Sequence, residues 1–143
     1  MKLELVTPEK IVFSDEIDQV SLPTSDGEIT VLPHHIPLIT QVKPGELTIK
    51  KNNKVSHFVT GSGFVEVTGQ TISILTDLAE TSDNLDEKKI EEAKKRAEEA
   101  MKQSHTLSGE EFARTAAELE KSLAQLHFKR KHHPRTNLPP TNS

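Results

Sequence analysis

The sequence predicts a β-sheet domain followed by a helical one, and three observations carry that prediction. All nine valines lie between Val6 and Val67, eight of the nine isoleucines precede residue 84, and seven of the eight alanines follow it. β-Branched side chains suit a pleated, half-buried surface, whereas Ala costs least in a helix. Short apolar runs with turn residues between them fill the first part, and a 3.6-residue amphipathic pattern fills the second. Charge breaks at the same place: residues 1–83 carry six Lys against 12 Asp/Glu, net −6, and residues 84–143 carry 12 Lys/Arg against 10 Asp/Glu, net +2. That polarity implies different partners for the two parts.

Taken in order, the runs cover residues 3–6, 11–13, 17–22, 28–32, 37–42, 46–50, 54–60, 64–68 and 71–76. Nine strands recurring at such short spacing are packed most economically as two facing sheets, a β-sandwich. Asn52-Asn53 lies between two apolar strands and tolerates the positive φ of a two-residue hairpin turn; Gly69-Gln70 is expected to do the same. The helical part opens at Asn84-Leu85-Asp86-Glu87, where Asn84 is expected to cap the first helix and Glu87 to bond back. Ile90, Ala93, Ala97 and Ala100 follow on one stripe, and Glu91/Lys95, Glu92/Arg96 and Glu98/Lys102 are i,i+4 pairs, each worth ~0.3 kcal/mol. A second capping box at Ser108-Gly109-Glu110-Glu111 starts a helix with Phe112, Ala116, Leu119, Leu123 and Leu126 as an a/d seam. The result is an antiparallel helical hairpin. From Lys129 onward the chain reads as a basic tail, disordered over 131–143. The expected domains are thus 1–83, 84–130 and 131–143.

Several function classes fall away. With no cysteine there is no disulfide framework, thiolate catalysis or sulfur-based zinc site. No run of 18 apolar residues marks a membrane span, and Met1-Lys2-Leu3-Glu4 begins no signal peptide. Gly61-Ser62-Gly63 lies between strands, which fits a close sheet contact rather than a phosphate-cradling loop before a helix. His34-His35 lacks a third metal ligand at sensible spacing, so both are expected at the surface or an interface and no metal is expected. No nucleophile has a positioned base, so a small hydrolase is excluded. Five Phe and no Tyr or Trp leave little to stack on bases, so no nucleic-acid partner is expected. From the residues alone, a free-standing β-sandwich binding module with a dimerising hairpin stays open.

A resemblance narrows the choice. Gly27-Glu28-Ile29-Thr30-Val31-Leu32-Pro33-His34-His35-Ile36-Pro37-Leu38, then Lys43-Pro44-Gly45-Glu46-Leu47 and Ser62-Gly63-Phe64-Val65-Glu66-Val67, closely resemble the epsilon subunit family of bacterial and chloroplast F-type ATP synthases. Residues 77–80, Leu85-Asp86-Glu87, Ala117-Glu118-Leu119 and Leu123-Ala124-Gln125-Leu126 extend the similarity to almost all of residues 3 to 128. The resemblance implies the same fold, a β-sandwich followed by a helical hairpin. It implies a non-catalytic rotor subunit of the central stalk, which passes ring rotation to the catalytic head and inhibits ATP hydrolysis through its hairpin. The implied partners are the gamma subunit and the c-ring for domain 1–83, and the alpha/beta head for the extended hairpin. The membrane is reached through partners only, at the cytoplasmic face of the bacterial inner membrane.

The site residues that the resemblance implies fall in three groups. Asp26, Gly27, Glu28, Pro33, His34 and His35 match the region that approaches the c-ring and gamma. Glu80, Leu85, Asp86, Lys89 and Arg96 match nucleotide contacts of relatives in which ATP holds the hairpin down. That set is degenerate: Lys89 and Ile90 stand where those relatives carry Arg and Ala, and Lys121 and Gln125 where they carry arginines. Lys lacks the bidentate guanidinium fork and Ile adds bulk, so no cofactor is expected and ATP only as a weakened regulatory ligand. Lys129, Arg130 and Lys131 form the cluster expected to meet an acidic surface of the head and to carry inhibition.

Overall fold

The computed structural model describes residues 1–103 and 107–132. Two compact units divide it, Met1–Thr81 and a second that begins at Ser82. Ten strands build the first unit: β1 (Lys2–Val6), β2 (Ile11–Glu16), β3 (Gln19–Thr24), β4 (Gly27–Val31), β5 (Leu38–Val42), β6 (Gly45–Lys51), β7 (Lys54–Thr60), β8 (Gly63–Val67), β9 (Thr71–Thr76) and β10 (Ala79–Glu80). The expected sandwich is there, but its two layers share one hydrogen-bonded path, β10-β7-β6-β3-β5-β8-β9-β1-β2, with β4 on the other edge of β3. The hinge of that path is β3. Its first residues pair with β6 and its last, Thr24, pairs with Val42 of β5, so one layer passes into the other. The tenth strand, too short for a periodic signal, is an addition to the nine expected.

Period-two alternation places the core. Leu3 and Leu5, Val20 and Leu22, Leu47 and Ile49, Val65 and Val67, and Ile72 and Ile74 all turn inward into one apolar cluster. The closing pair of β1 and β9 is parallel, joining Leu3 to Ile72 across most of the unit's sequence. Asn52 and Asn53 have φ of 51° and 66°, the primed hairpin turn expected of them. Gly69-Gln70 joins antiparallel β8 and β9 as expected, but without a positive φ, which among the described glycines only Gly27 has, at 101°. At this connection Thr68 does the work instead, its N–H donating to Thr71 O at 2.9 Å and its Oγ1 accepting from Thr71 N at 3.2 Å. Gly61 and Gly63 sit where a Cβ would overlap the Asp77 carboxylate and the Leu75 carbonyl, the close sheet contact expected of them.

In the second unit a 3-10 turn (Ser82–Asn84) precedes α1 (Glu87–Lys102), and α2 (Gly109–His132) follows. The cap of α1 is Asp86 rather than Asn84: its carboxylate accepts from Lys88 N and Lys89 N at 3.0 and 3.3 Å. Asn84 is consumed by the 3-10 turn, and an ionised acceptor is the stronger cap at the positive end of the helix. Ser108 caps α2 as expected, its Oγ accepting from Glu111 N at 3.1 Å. The expected seam holds in part: Leu126 is buried and Ala116 and Leu119 are half-buried, but Phe112 and Leu123 are 41% and 47% exposed and Ser122 is buried instead. Across the hairpin, Ala93, Ala97 and Ala100 of α1 share a cleft with Arg114, Thr115 and Glu118 of α2. α2 therefore turns smaller and polar side chains toward the alanines, which small residues permit by close backbone approach. Helix also runs further than expected, through Lys131 and His132; four basic residues in the last turn complement the negative end of the dipole. The rest of the expected tail lies outside the described residues.

Candidate interaction surfaces

Asp26, Gly27 and Glu28 form the exposed tip of the β3–β4 hairpin. Buried Thr24 fixes that tip, donating to Gly27 O at 2.6 Å and accepting from Asp26 N at 3.1 Å. Pro33, His34 and His35 follow the far end of β4, in a turn closed by His35 N donating to Leu32 O at 3.1 Å. The structure thus does not gather the six residues into one patch: strand β4 holds the two turns apart by about 13 Å. His34 sits in the left-handed region at φ 67°, and the His35 ring Nδ1 donates to Ile36 O at 2.6 Å.

A larger feature was not singled out from the sequence. Phe64 of β8 pairs with Leu75 of β9, Leu75 with Val6 of β1, and Val6 with Ile11 of β2. One apolar row therefore crosses four adjacent strands, about 14 Å from first to last. Phe64, Leu75 and Ile11 are 61%, 58% and 62% exposed, and Ile39 on β5, beside Glu66 of β8, is 71% exposed. A cleft of about 400 Å³ lined by Val6, Pro8, Gly63 and Leu75 borders the row. The signal was present: Phe64-Val65 and Ile74-Leu75 put apolar side chains on both faces of their strands, which a half-solvated strand does not do. Contiguous apolar surface of this kind marks a site of association.

Of the expected nucleotide set, Glu80 lies on β10 in the first unit, while Leu85, Asp86, Lys89 and Arg96 belong to the second. Asp86 is engaged as the helix cap, Leu85 and Ile90 are buried, and Lys89 and Arg96 are exposed on α1. Arg96 lines the cleft between the helices with Arg114 and Glu118, a space of about 260 Å³. Lys129, Arg130 and Lys131 occupy one helical turn at the end of α2. Lys129 Nζ donates to Ser82 O at 2.6 Å, and Arg130 Nη2 reaches Glu91 Oε1 at 2.6 Å and Glu87 Oε2 at 3.8 Å. Among the described residues, no helix is long and apolar enough to cross a membrane.

Comparison with known proteins agrees with this geometry in both units. The family model for the ATP synthase delta/epsilon chain, beta-sandwich domain, matches residues 1–82, and that for its long alpha-helix domain matches residues 83–129. The ATP synthase epsilon chain of Chloroflexus aggregans is 38% identical over 130 residues, 91% of this chain and 92% of the relative. That of Dehalococcoides mccartyi is 39% identical over 136 residues, 94% and 96% of the two chains. Among solved structures, a chain of the Euglena gracilis mitochondrial ATP synthase superposes with a TM-score of 0.70 at 22% identity, covering 85% of this chain and 76% of that one. A chain from the central stalk and c-ring of the Tetrahymena thermophila enzyme superposes at 0.56, with 16% identity and 91% and 93% coverage. Those two likenesses bear on the fold, and the sequence matches carry the assignment: the chain belongs to the ATP synthase delta/epsilon chain family.

Proposed function

We propose that the chain is a non-catalytic rotor subunit in the central stalk of an ATP synthase, and that the apolar row Phe64, Leu75, Val6 and Ile11 is the face that meets the gamma subunit. The row carries the reading, because a rotor subunit must transmit torque through a fixed interface and this row sets exposed Phe64, Leu75 and Ile11 on adjacent strands. The polar turns at either end of β4 suit the loops of a c-ring, as acidic groups and imidazoles on short, well-pinned turns do. On this reading the membrane is reached through those partners, at the cytoplasmic face of a bacterial inner membrane.

The hairpin is the regulatory part. Lys129, Arg130 and Lys131 supply the charge that attracts an acidic surface of the catalytic head, where the extended helices block ATP hydrolysis. ATP binds weakly, since Lys89 has no guanidinium fork and buried Ile90 occupies the space an Ala would leave. Replacing Lys89→Arg and Ile90→Ala together is expected to tighten ATP binding in calorimetry, at some loss of helix packing. The reading as a whole is tested by purifying the protein from native membranes: it must come away with gamma and the catalytic head. A protein that purifies alone from membranes whose ATP synthase is intact would contradict it.

A further inference from the structure

We propose that the basic last turn of α2 is a clasp that holds the hairpin shut, so that opening the hairpin and releasing these cations to an acidic partner are one event. The partner rests on the rotor reading above; the clasp does not. Antiparallel packing brings the end of α2 beside the start of α1. There Arg130 lies between Glu91 and Glu87, at 2.6 and 3.8 Å, and Lys129 reaches back to the Ser82 carbonyl at 2.6 Å. Glu87 and Glu91 are spaced i,i+4 on α1, a like-charge pair that repels unless a cation stands between them. Arg130 is that cation. Lys129, half-buried, ties the 3-10 turn to the same point, so the entry to α1 and the exit of α2 are fastened together.

Such contacts add to a small buried set, which among the described residues of this unit is Leu85, Ile90, Ala97, Ser122, Leu126 and Phe128. On α1 only Ile90 and Ala97 are buried, and Phe112 and Leu123 of the expected seam are exposed. Charge-assisted bonds at a half-exposed site are modest and sensitive to salt, which makes them a release rather than a lock. An acidic surface competes for the same two side chains. Binding there costs the clasp, and breaking the clasp makes binding easier, which is the two-way coupling a regulatory hairpin needs.

The test uses the isolated full chain, which has no cysteine, with spin labels at Glu92→Cys on α1 and His127→Cys on α2. At low salt one short interspin distance is expected. Arg130→Gln, or about 0.5 M salt, where screening falls to roughly 4 Å, should raise the long-distance fraction about five-fold. Exchanging the charges, Arg130→Glu with Glu87→Lys and Glu91→Lys, should restore the short distance. An unchanged distribution in Arg130→Gln at equal helix content overturns the proposal. If Arg130→Gln loses helix content, the exchange decides: recovery of the short distance supports the clasp, and failure to recover it overturns it. Neither outcome touches the rotor assignment, which fails separately if the protein leaves the membrane without its partners.

Discussion

The two units are held together in different ways. In the β unit, Leu3, Leu5, Leu22, Ile72 and Ile74 are wholly buried, and the closing strand pair joins residues about 70 apart in sequence. In the helical unit the buried side chains are fewer, Leu85, Ile90, Ala97, Ser122, Leu126 and Phe128 among the described residues, and charged bonds fasten its open end. A core built from distant strands unfolds cooperatively, whereas a hairpin with fewer buried side chains opens locally at lower cost. The comparison teaches how a rotor frame and the arm proposed above to move are made from different chemistry.

Core truncation should break the frame hardest. Leu5→Ala or Ile74→Ala is expected to cost about 2–5 kcal/mol in urea unfolding, by lost burial and an unfilled cavity. Leu126→Ala should lower only helical signal and leave the β transition in place; a shared loss would mean the units unfold as one. Gly63→Ala forces a Cβ onto the Leu75 carbonyl and should cost about 3 kcal/mol of β-unit stability. A chain ending at Asp83 should retain the dispersed core methyl signals of the full protein in proton NMR. In the arm, Asp86→Ala removes the acceptor for Lys88 N and Lys89 N and should cost about 1 kcal/mol of helical stability.

Two smaller effects sharpen the picture of the frame. His34→Gly relieves a left-handed backbone and should stabilise by up to about 1 kcal/mol, seen as a higher melting temperature. At Asp15, the hydrogen bond from Lys51 Nζ at 2.6 Å and that from Glu16 N at 2.7 Å hold the carboxyl below its ordinary value of 3.8. Its contribution is therefore present above that value and fades as pH falls through the lower folded one. Asp15→Asn should remove that small contribution at neutral pH and so flatten the acid limb of the stability curve slightly.

Sequence reasoning reached the architecture because nine of the ten strands announce themselves as short apolar runs between turns, and because Asn52-Asn53 and Ser108 carry local chemistry that nothing overrides. It missed where tertiary context decides. Gly69 has freedom that Thr68 makes unnecessary, Asn84 is overtaken by a 3-10 turn, and Phe112 and Leu123 lose the seam to smaller neighbours. The outer apolar row was legible only as doubled apolar positions in β8 and β9, which register then aligned across four strands. A pairing register is set by the whole sheet, so no single strand could have shown that row.

The most direct measurement is the labelling rate of a single cysteine in that row. The chain has none of its own, so Phe64→Cys gives one reactive site on the outer face and Lys54→Cys an exposed control on β7. With a maleimide, the cysteine at position 64 should react at least tenfold more slowly in the assembled ATP synthase than in the free protein, while the control changes less. Equal rates at position 64 in the free and assembled states, with the complex intact, would show that this face is not the one that docks.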